Sequence, residues 1–323
     1  MKGHQSHRGR LKRARRTMAL ASAIAMAAGF FAVGPQSVFA ASPTITTTAL
    51  PTSGALGTTL KDSADLEGAS SFDGNGSITF NLYAPGDTTC SGSPVDSEVI
   101  NGIVANGTYT TPNGVVADAA GTYNWVASFS GDVYAPVATV CTDEPVSVAK
   151  ASPTISTQLN ANPITVGGSD YDTAALAGFA PGGSGGTVTY TAYSDNGCTT
   201  GAQSAGTVTI DESTGVATQS NSVSFTAAGT VSWEAVFNGD TNDNTATSAC
   251  EPLVISNASP TIVTILNASA ITVGGTDYDT SALSNFASGG SGGTVTYTVY
   301  TDNVCTTAVQ SGGTVTIDES TGA

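Results

Sequence analysis

The tetrapeptide Ser42-Pro43-Thr44-Ile45 recurs as Ser152-Pro153-Thr154-Ile155 and again as Ser259-Pro260-Thr261-Ile262. A chain with such self-similarity is limited to architectures built from one unit repeated. The units run 42–151, 152–258 and 259–323. Aligned without gaps, the second and third agree at 49 of their 65 shared positions. The first has diverged further but keeps Asp62/Asp172/Asp279 and Leu66/Leu176/Leu283 at matching offsets. The third unit stops where the second has Val216, so 217–258 have no counterpart in it. The sequence therefore reads as part of a longer reading frame whose last unit is incomplete.

Residues 1–40 differ in kind from the repeats. Basic residues crowd positions 2–16, an apolar run extends from Met18 to Val33, and Val38 and Ala40 stand at −3 and −1 before Ala41. That order is expected of a secretory signal peptide cleaved before Ala41. The run is short for a membrane span, which takes about 20 apolar residues. An uncleaved anchor is the alternative. The expected localisation is secreted or cell-surface, where cysteines meet oxidising conditions.

After residue 40 the chain holds all 25 of its Asp and Glu, two lysines (Lys61 and Lys150), and neither Arg nor His, a net charge of −23. Such a surface cannot neutralise phosphates, so no nucleic-acid partner is expected. With no His there can be no Ser-His-Asp or Cys-His site and no His-ligated metal.

Within each unit the pattern is β. In 187–193, Val188, Tyr190 and Ala192 alternate with threonines; Ile78, Phe80 and Leu82 repeat the pattern in unit one, and Val295, Tyr297 and Val299 in unit three. This period of two marks half-buried strands. A second such strand carries Tyr123, Trp125, Ala127 and Phe129, matched by Val231, Trp233, Ala235 and Phe237. Trp125 and Trp233 are the expected core centres. Turn signals such as 182–186 and 211–215 punctuate the strands, and no helical period follows residue 40. The expected fold class is all-β: tandem immunoglobulin-like sandwiches after an N-terminal signal peptide, the last repeat truncated.

Five cysteines remain. Cys90 and Cys141 lie 51 apart, Cys198 and Cys250 lie 52 apart, and Cys305 aligns with Cys90 and Cys198. Pairing within units gives Cys90–Cys141 and Cys198–Cys250 with Cys305 unpaired. The rival scheme joins Cys141 to Cys198 and Cys250 to Cys305 across units. Pairing within a unit carries a condition. The end of the third strand and the start of the last strand sit at opposite ends of such a sandwich, and a bridge needs Cα atoms within about 7 Å. The last strand must therefore begin well before Cys141.

The Ser-Pro-Thr-Ile openings, Asp62 to Leu66, Tyr83-Ala84-Pro85-Gly86-Asp87 followed by Cys90, and the run from Gly121 through Trp125 to Asp132 resemble bacterial Ig-like repeats. The resemblance covers 42–323. It implies tandem extracellular modules serving as stalks, adhesive segments or spacers.

Candidate sites are few. Asp170 with Asp172, and Asp277 with Asp279, place two carboxylates at i and i+2, and Asp240, Asn242, Asp243 and Asn244 add further oxygens. Calcium takes six to eight such ligands. Leu60 replaces the first Asp in unit one, so the reading adopted is solvated acidic edges and turns with no metal. The glycine runs 182–186 and 289–293 lack the Lys of a phosphate loop. Tyr83, Tyr193 and Tyr300 alternate outward, where packing against a neighbouring strand or loop is expected and stacking on a sugar or a protein is the alternative. No catalytic residue and no cofactor is assigned.

The expectation is a non-enzymatic extracellular repeat protein, a cell-surface stalk or adhesin segment. The short proline-bearing junctions 150–153 and 257–260 would stack its units as a rod. The alternatives are an array of carbohydrate- or protein-binding modules, or a spacer for a secreted enzyme lying beyond residue 323. The expected partners are an extracellular protein or polysaccharide, and a cell-wall or membrane anchor further along the frame.

Overall fold

A computed structural model describes residues 42–318 and 320–321; the expected signal peptide lies outside the described residues. Among the described residues all regular structure is β-strand. Unit one contains β1 (Thr44–Leu50), β2 (Ser53–Ala55), β3 (Thr59–Glu67), β4 (Gly76–Tyr83), β5 (Asp96–Ile103), β6 (Gly107–Thr110), β7 (Val115–Val116), β8 (Gly121–Ser130), β9 (Val137–Ala138) and β10 (Glu144–Ala149). One sheet runs β1-β3-β6, with β7 also on β3. The other runs β2-β10-β8-β4-β5, with β9 on β8. The first strand thus switches sheets: β1 is antiparallel to β3, and after Pro51 the chain re-enters as β2, parallel to β10.

Unit two repeats the plan with β11 (Thr154–Leu159), β12 (Ile164–Thr165), β13 (Ser169–Asp170), β14 (Asp172–Ala177), β15 (Thr187–Tyr193), β16 (Gln203–Asp211), β17 (Val216–Ala217), β18 (Val223–Ser224), β19 (Gly229–Phe237), β20 (Ala246–Thr247) and β21 (Glu251–Ser256). Here β17 pairs with both β14 and β16, so the order β11-β14-β17-β16-β15-β19-β21-β12 is continuous. Unit three shows β22 (Thr261–Leu266) paired with β23 (Asp279–Ser284), and β24 (Thr294–Tyr300) paired with β25 (Ala308–Thr316).

The alternation read from sequence decides which side chains fill the space between sheets. Ile78, Phe80 and Leu82 of β4 and Tyr123, Trp125, Ala127 and Phe129 of β8 are buried in one cluster with Leu60, Leu66 and Val146. Val188, Tyr190, Trp233, Phe237 and Leu253 form the equivalent cluster in unit two. Full burial of each large apolar side chain is worth about 1.5–3 kcal/mol. Tyr123 adds a local tie, its hydroxyl accepting from the Ala119 amide at 3.1 Å and donating to Asp118 at 3.1 Å. Val231 stands in its place in unit two, so this corner belongs to unit one alone.

The cysteines are bridged within units, Cys90 to Cys141 and Cys198 to Cys250, with Cα separations of 5.6 and 5.9 Å. The last strand makes this geometry reachable. It begins as β9, opposite Ser128 and Phe129, leaves the sheet around Cys141, and rejoins as β10 opposite Trp125. Cys141 therefore rides on an excursion in mid-strand, beside the end of β4. Its partner is presented by a loop organised around Asp87, whose carboxylate accepts the amides of Thr89, Ser91 and Gly92. Cys90, Cys198 and Cys305 all take positive φ, at 50°, 53° and 57°. Cys305 is exposed and unpaired among the described residues.

A double variant Cys198→Ala/Cys250→Ala should lower the stability of unit two by roughly 2–4 kcal/mol, because it releases a long closed loop in the unfolded chain. The denaturant midpoint under non-reducing conditions checks this, and reductant should move the parent protein the same way.

Candidate functional site

Three positions decide what the structure can do chemically: the paired carboxyls read from sequence, the Asp/Asn-rich loop 238–244, and the surface tyrosines. The carboxyls are not solvated edges. Asp172 is wholly buried and Asp170 is 1 % exposed. With Glu251, which opens β21 on the facing sheet, they receive the amides at the end of β11. Asp172 Oδ1 accepts from Gln158 at 3.1 Å, Glu251 Oε1 from Leu159 at 3.3 Å, and Asp170 from Ala161 at 3.2 Å. Asp172 Oδ2 and Glu251 Oε2 are buried with no hydrogen-bond partner. Burial, reinforced by the charges of Glu251 and Asp170, pushes the Asp172 carboxyl up to about 7.

Unit one builds the same clasp from two carboxyls. Asp62 is wholly buried, Glu144 Oε2 accepts from Ala49 at 2.9 Å, and Asp62 Oδ1 accepts from Ser63 at 2.8 Å. Asp62 Oδ2 has no partner, and burial followed by the Glu144 charge pushes its carboxyl up to about 7. In unit three Asp277 accepts from Ala268 at 3.2 Å, as Asp170 does from Ala161. These carboxyls clamp a strand, their donors being backbone amides. Among the described residues no three His, Cys, Asp or Glu side chains are grouped to hold a metal ion.

The loop 238–244 serves as a joint with the preceding unit. Asn242 is 2 % exposed, with its side-chain amide spanning to unit one. Its Nδ2 donates to the Asp118 carbonyl at 3.1 Å, and its Oδ1 accepts from Ala120 at 3.0 Å. The linker residue Ala151 donates to the Asn242 carbonyl and accepts from the Asn244 amide, both at 2.8 Å. Asn244 reaches Ser152, and Lys150 donates to the Asp240 carbonyl. Beneath the joint Asp243 is wholly buried and takes the Ala180 amide at 3.1 Å. Desolvation pushes both Asp243 and the nearby Glu212 above the ordinary carboxylate range. Asp240 Oδ1, Asn242 and Asp243 thus bond backbone groups, and Asn244 bonds the Ser152 hydroxyl. The readable signal was unit two's shift in this loop toward short polar residues. Asn242, Asp243 and Asn244 stand against Tyr134, Ala135 and Pro136 in unit one.

Tyr83, Tyr193 and Tyr300 are half-buried, and the Tyr193 hydroxyl donates to Glu234 at 3.3 Å. Asp211 and Glu212 share one hairpin turn but serve different amides, those of Ser213 and Gly186. An open cleft of about 470 Å³ lies where unit two meets unit three, lined by Asn257, Ser259, Asn285 and Phe286 among others.

No protein-family model matches the chain, and no curated protein matches it. Among solved structures it is similar to a biofilm-associated protein's BSP domain, at 18 % identity and a TM-score of 0.19, covering 68 % of this chain and 30 % of that one. It is also similar to dimeric latent PorU from Porphyromonas gingivalis, at 12 % identity and a TM-score of 0.25, covering 70 % of this chain and 21 % of that one. The chain thus spans less than a third of either structure's length.

Replacing Asn242 by Ala strands the Asp118 carbonyl and the Ala120 amide inside the joint, at a cost of about 1–3 kcal/mol. Small-angle scattering should show a wider spread of angles between units one and two. The thermal midpoint of unit two itself should barely move.

Proposed function

We propose that this chain is a non-enzymatic extracellular repeat protein that works as a stalk or adhesin segment at the cell surface, spacing whatever it carries. The observation that carries this reading is the joint. Units one and two meet through buried side-chain and backbone hydrogen bonds at Asn242 and Ala151, with no flexible Gly/Ser linker between them. A stalk needs that, because a mobile hinge would let its tip collapse back toward the surface. Disulfides within each complete unit fit an exported chain. The acidic composition suits a rod that stays soluble and avoids anionic surfaces. A body without His has no Ser-His-Asp or Cys-His arrangement to activate a nucleophile.

Spin labels placed on units one and two should give a narrow distance distribution that added salt leaves unchanged. A broad distribution, like that of a freely jointed linker, would sink the stalk reading. The rival, a binding array, is tested separately. Selective capture by the chain on a glycan or host-protein array would favour it over a pure spacer.

A further inference from the structure

The clasp at the sheet switch has one feature the stalk reading does not use. In unit one, Asp62 and Glu144 come from facing sheets beside the end of β1, immediately before it crosses at Pro51: Glu144 accepts the Ala49 amide, while Asp62 accepts the Ser63 amide of its own strand and faces that of Thr48. In unit two, Asp172 and Glu251 both accept amides at the end of β11. The titratable group facing Asp62 is Glu144. Those facing Asp172 are Glu251, Asp170 and the Tyr190 hydroxyl. None of these is a cation. A wholly buried carboxylate beside a second carboxylate, with one oxygen unpartnered, is the costly case for an ionised group. One proton per pair removes the cost. It neutralises Asp62 or Asp172, whose Oδ2 is the buried oxygen without a partner, and relieves its repulsion with the neighbouring Glu.

We propose that Asp62 and Asp172 each keep a proton on a wholly buried carboxyl set beside Glu144 and Glu251, and that this neutral acid latches the first strand across the two sheets of each complete unit. The ligand is a proton rather than a divalent cation. The clasp in unit one has only two carboxyls, since Leu60 occupies the place of Asp170, and their remaining oxygens already accept backbone amides. The direction of the pH effect follows. The folded unit keeps a proton that the unfolded chain releases near its ordinary value of 3.8. The folded state therefore binds more protons between about 4 and about 7, and stability falls as pH rises through that window, levelling off above it. The latch is closed in mildly acidic surroundings and weakened in alkaline ones.

The test uses the full chain with Asp62→Asn and Asp172→Asn together, Asn being a neutral look-alike of the protonated acid. The proposal expects the doubly substituted protein to lose most of the fall in thermal midpoint between pH 5 and pH 8. At pH 8 it should be at least as stable as the parent. A variant that keeps the parent's full pH dependence overturns the proposal, since self-repulsion of the −23 surface would then explain it. The parent protein supplies a second readout should the variant fold poorly. Its infrared spectrum at pH 6 should show a protonated-carboxyl carbonyl band, because solvated Asp and Glu are ionised there. Absence of that band overturns the proposal. So does a calcium-induced rise in the parent's midpoint at pH 8 that the variant lacks, which would make the clasp a cation site.

Discussion

Each complete unit depends on the strand that carries its tryptophan. β8 pairs with β4 on one edge and with β9 and β10 on the other, and Trp125 sits at zero exposure between the sheets. β19 does the same for unit two with Trp233. Both indole N–H groups are buried without a partner, a cost of about 1–3 kcal/mol that the packing must exceed. Unit three shows what this strand does for its neighbours. Ile262 and Leu266 of β22 are 50 % and 62 % exposed, whereas Ile155 and Leu159 at the same places in β11 are each 8 % exposed. The two strands share four of six residues, including both compared positions. The difference is the covering layer: β11 packs against β19 and β21, and no equivalent strand covers β22 among the described residues.

A second constraint is the scarcity of cations. Carboxylates that cannot find a Lys or Arg are settled in two opposite ways, and solvent decides which. Asp195 and Asp302 sit at the surface of the cysteine-bearing loops, where amides and hydroxyls of the following residues converge on them and lower each to about 2. Asp62 and Asp172 accept similar amides but lie between the sheets, where desolvation outweighs the hydrogen bonds and raises each to about 7. The surface group organises a loop by staying charged. The buried group holds a strand at the cost of that charge.

These two environments also mark what the sequence made legible. Strand faces were readable because alternation is local: Val188, Tyr190 and Ala192 are buried in the order their spacing implies. The detour of the last strand around Cys141 was readable as a condition, since a bridge to Cys90 requires pairing to have begun earlier, and β9 supplies it. The pairing scheme itself stayed open, because spacing cannot distinguish a bridge within a unit from one between neighbours. The clasp was not readable. Asp62 and Glu144 are far apart in sequence and come to the end of β1 from facing sheets, so the pattern at 170–172 looked like a solvated edge. The joint was hidden for a similar reason: the partner of Asn242 is the backbone of residues 118–120 in the preceding unit.

The clasp and the joint act at different levels of the chain. The joint fixes one unit against the next, so its failure would bend the array without unfolding any part of it. The clasp secures the switching strand inside a unit, and that strand runs directly from the junction. β11 begins at Thr154, three residues after Ala151, so tension arriving through the joint reaches β11 before any other strand of unit two. The load is then borne along the antiparallel ladder of β11 with β14 and, at its far end, by Asp172 and Glu251. A strand held on one side by a ladder and on the other by a clasp of carboxyls resists being drawn out sideways. The resistance at that far end depends on whether Asp172, raised by burial, is neutral beside Glu251.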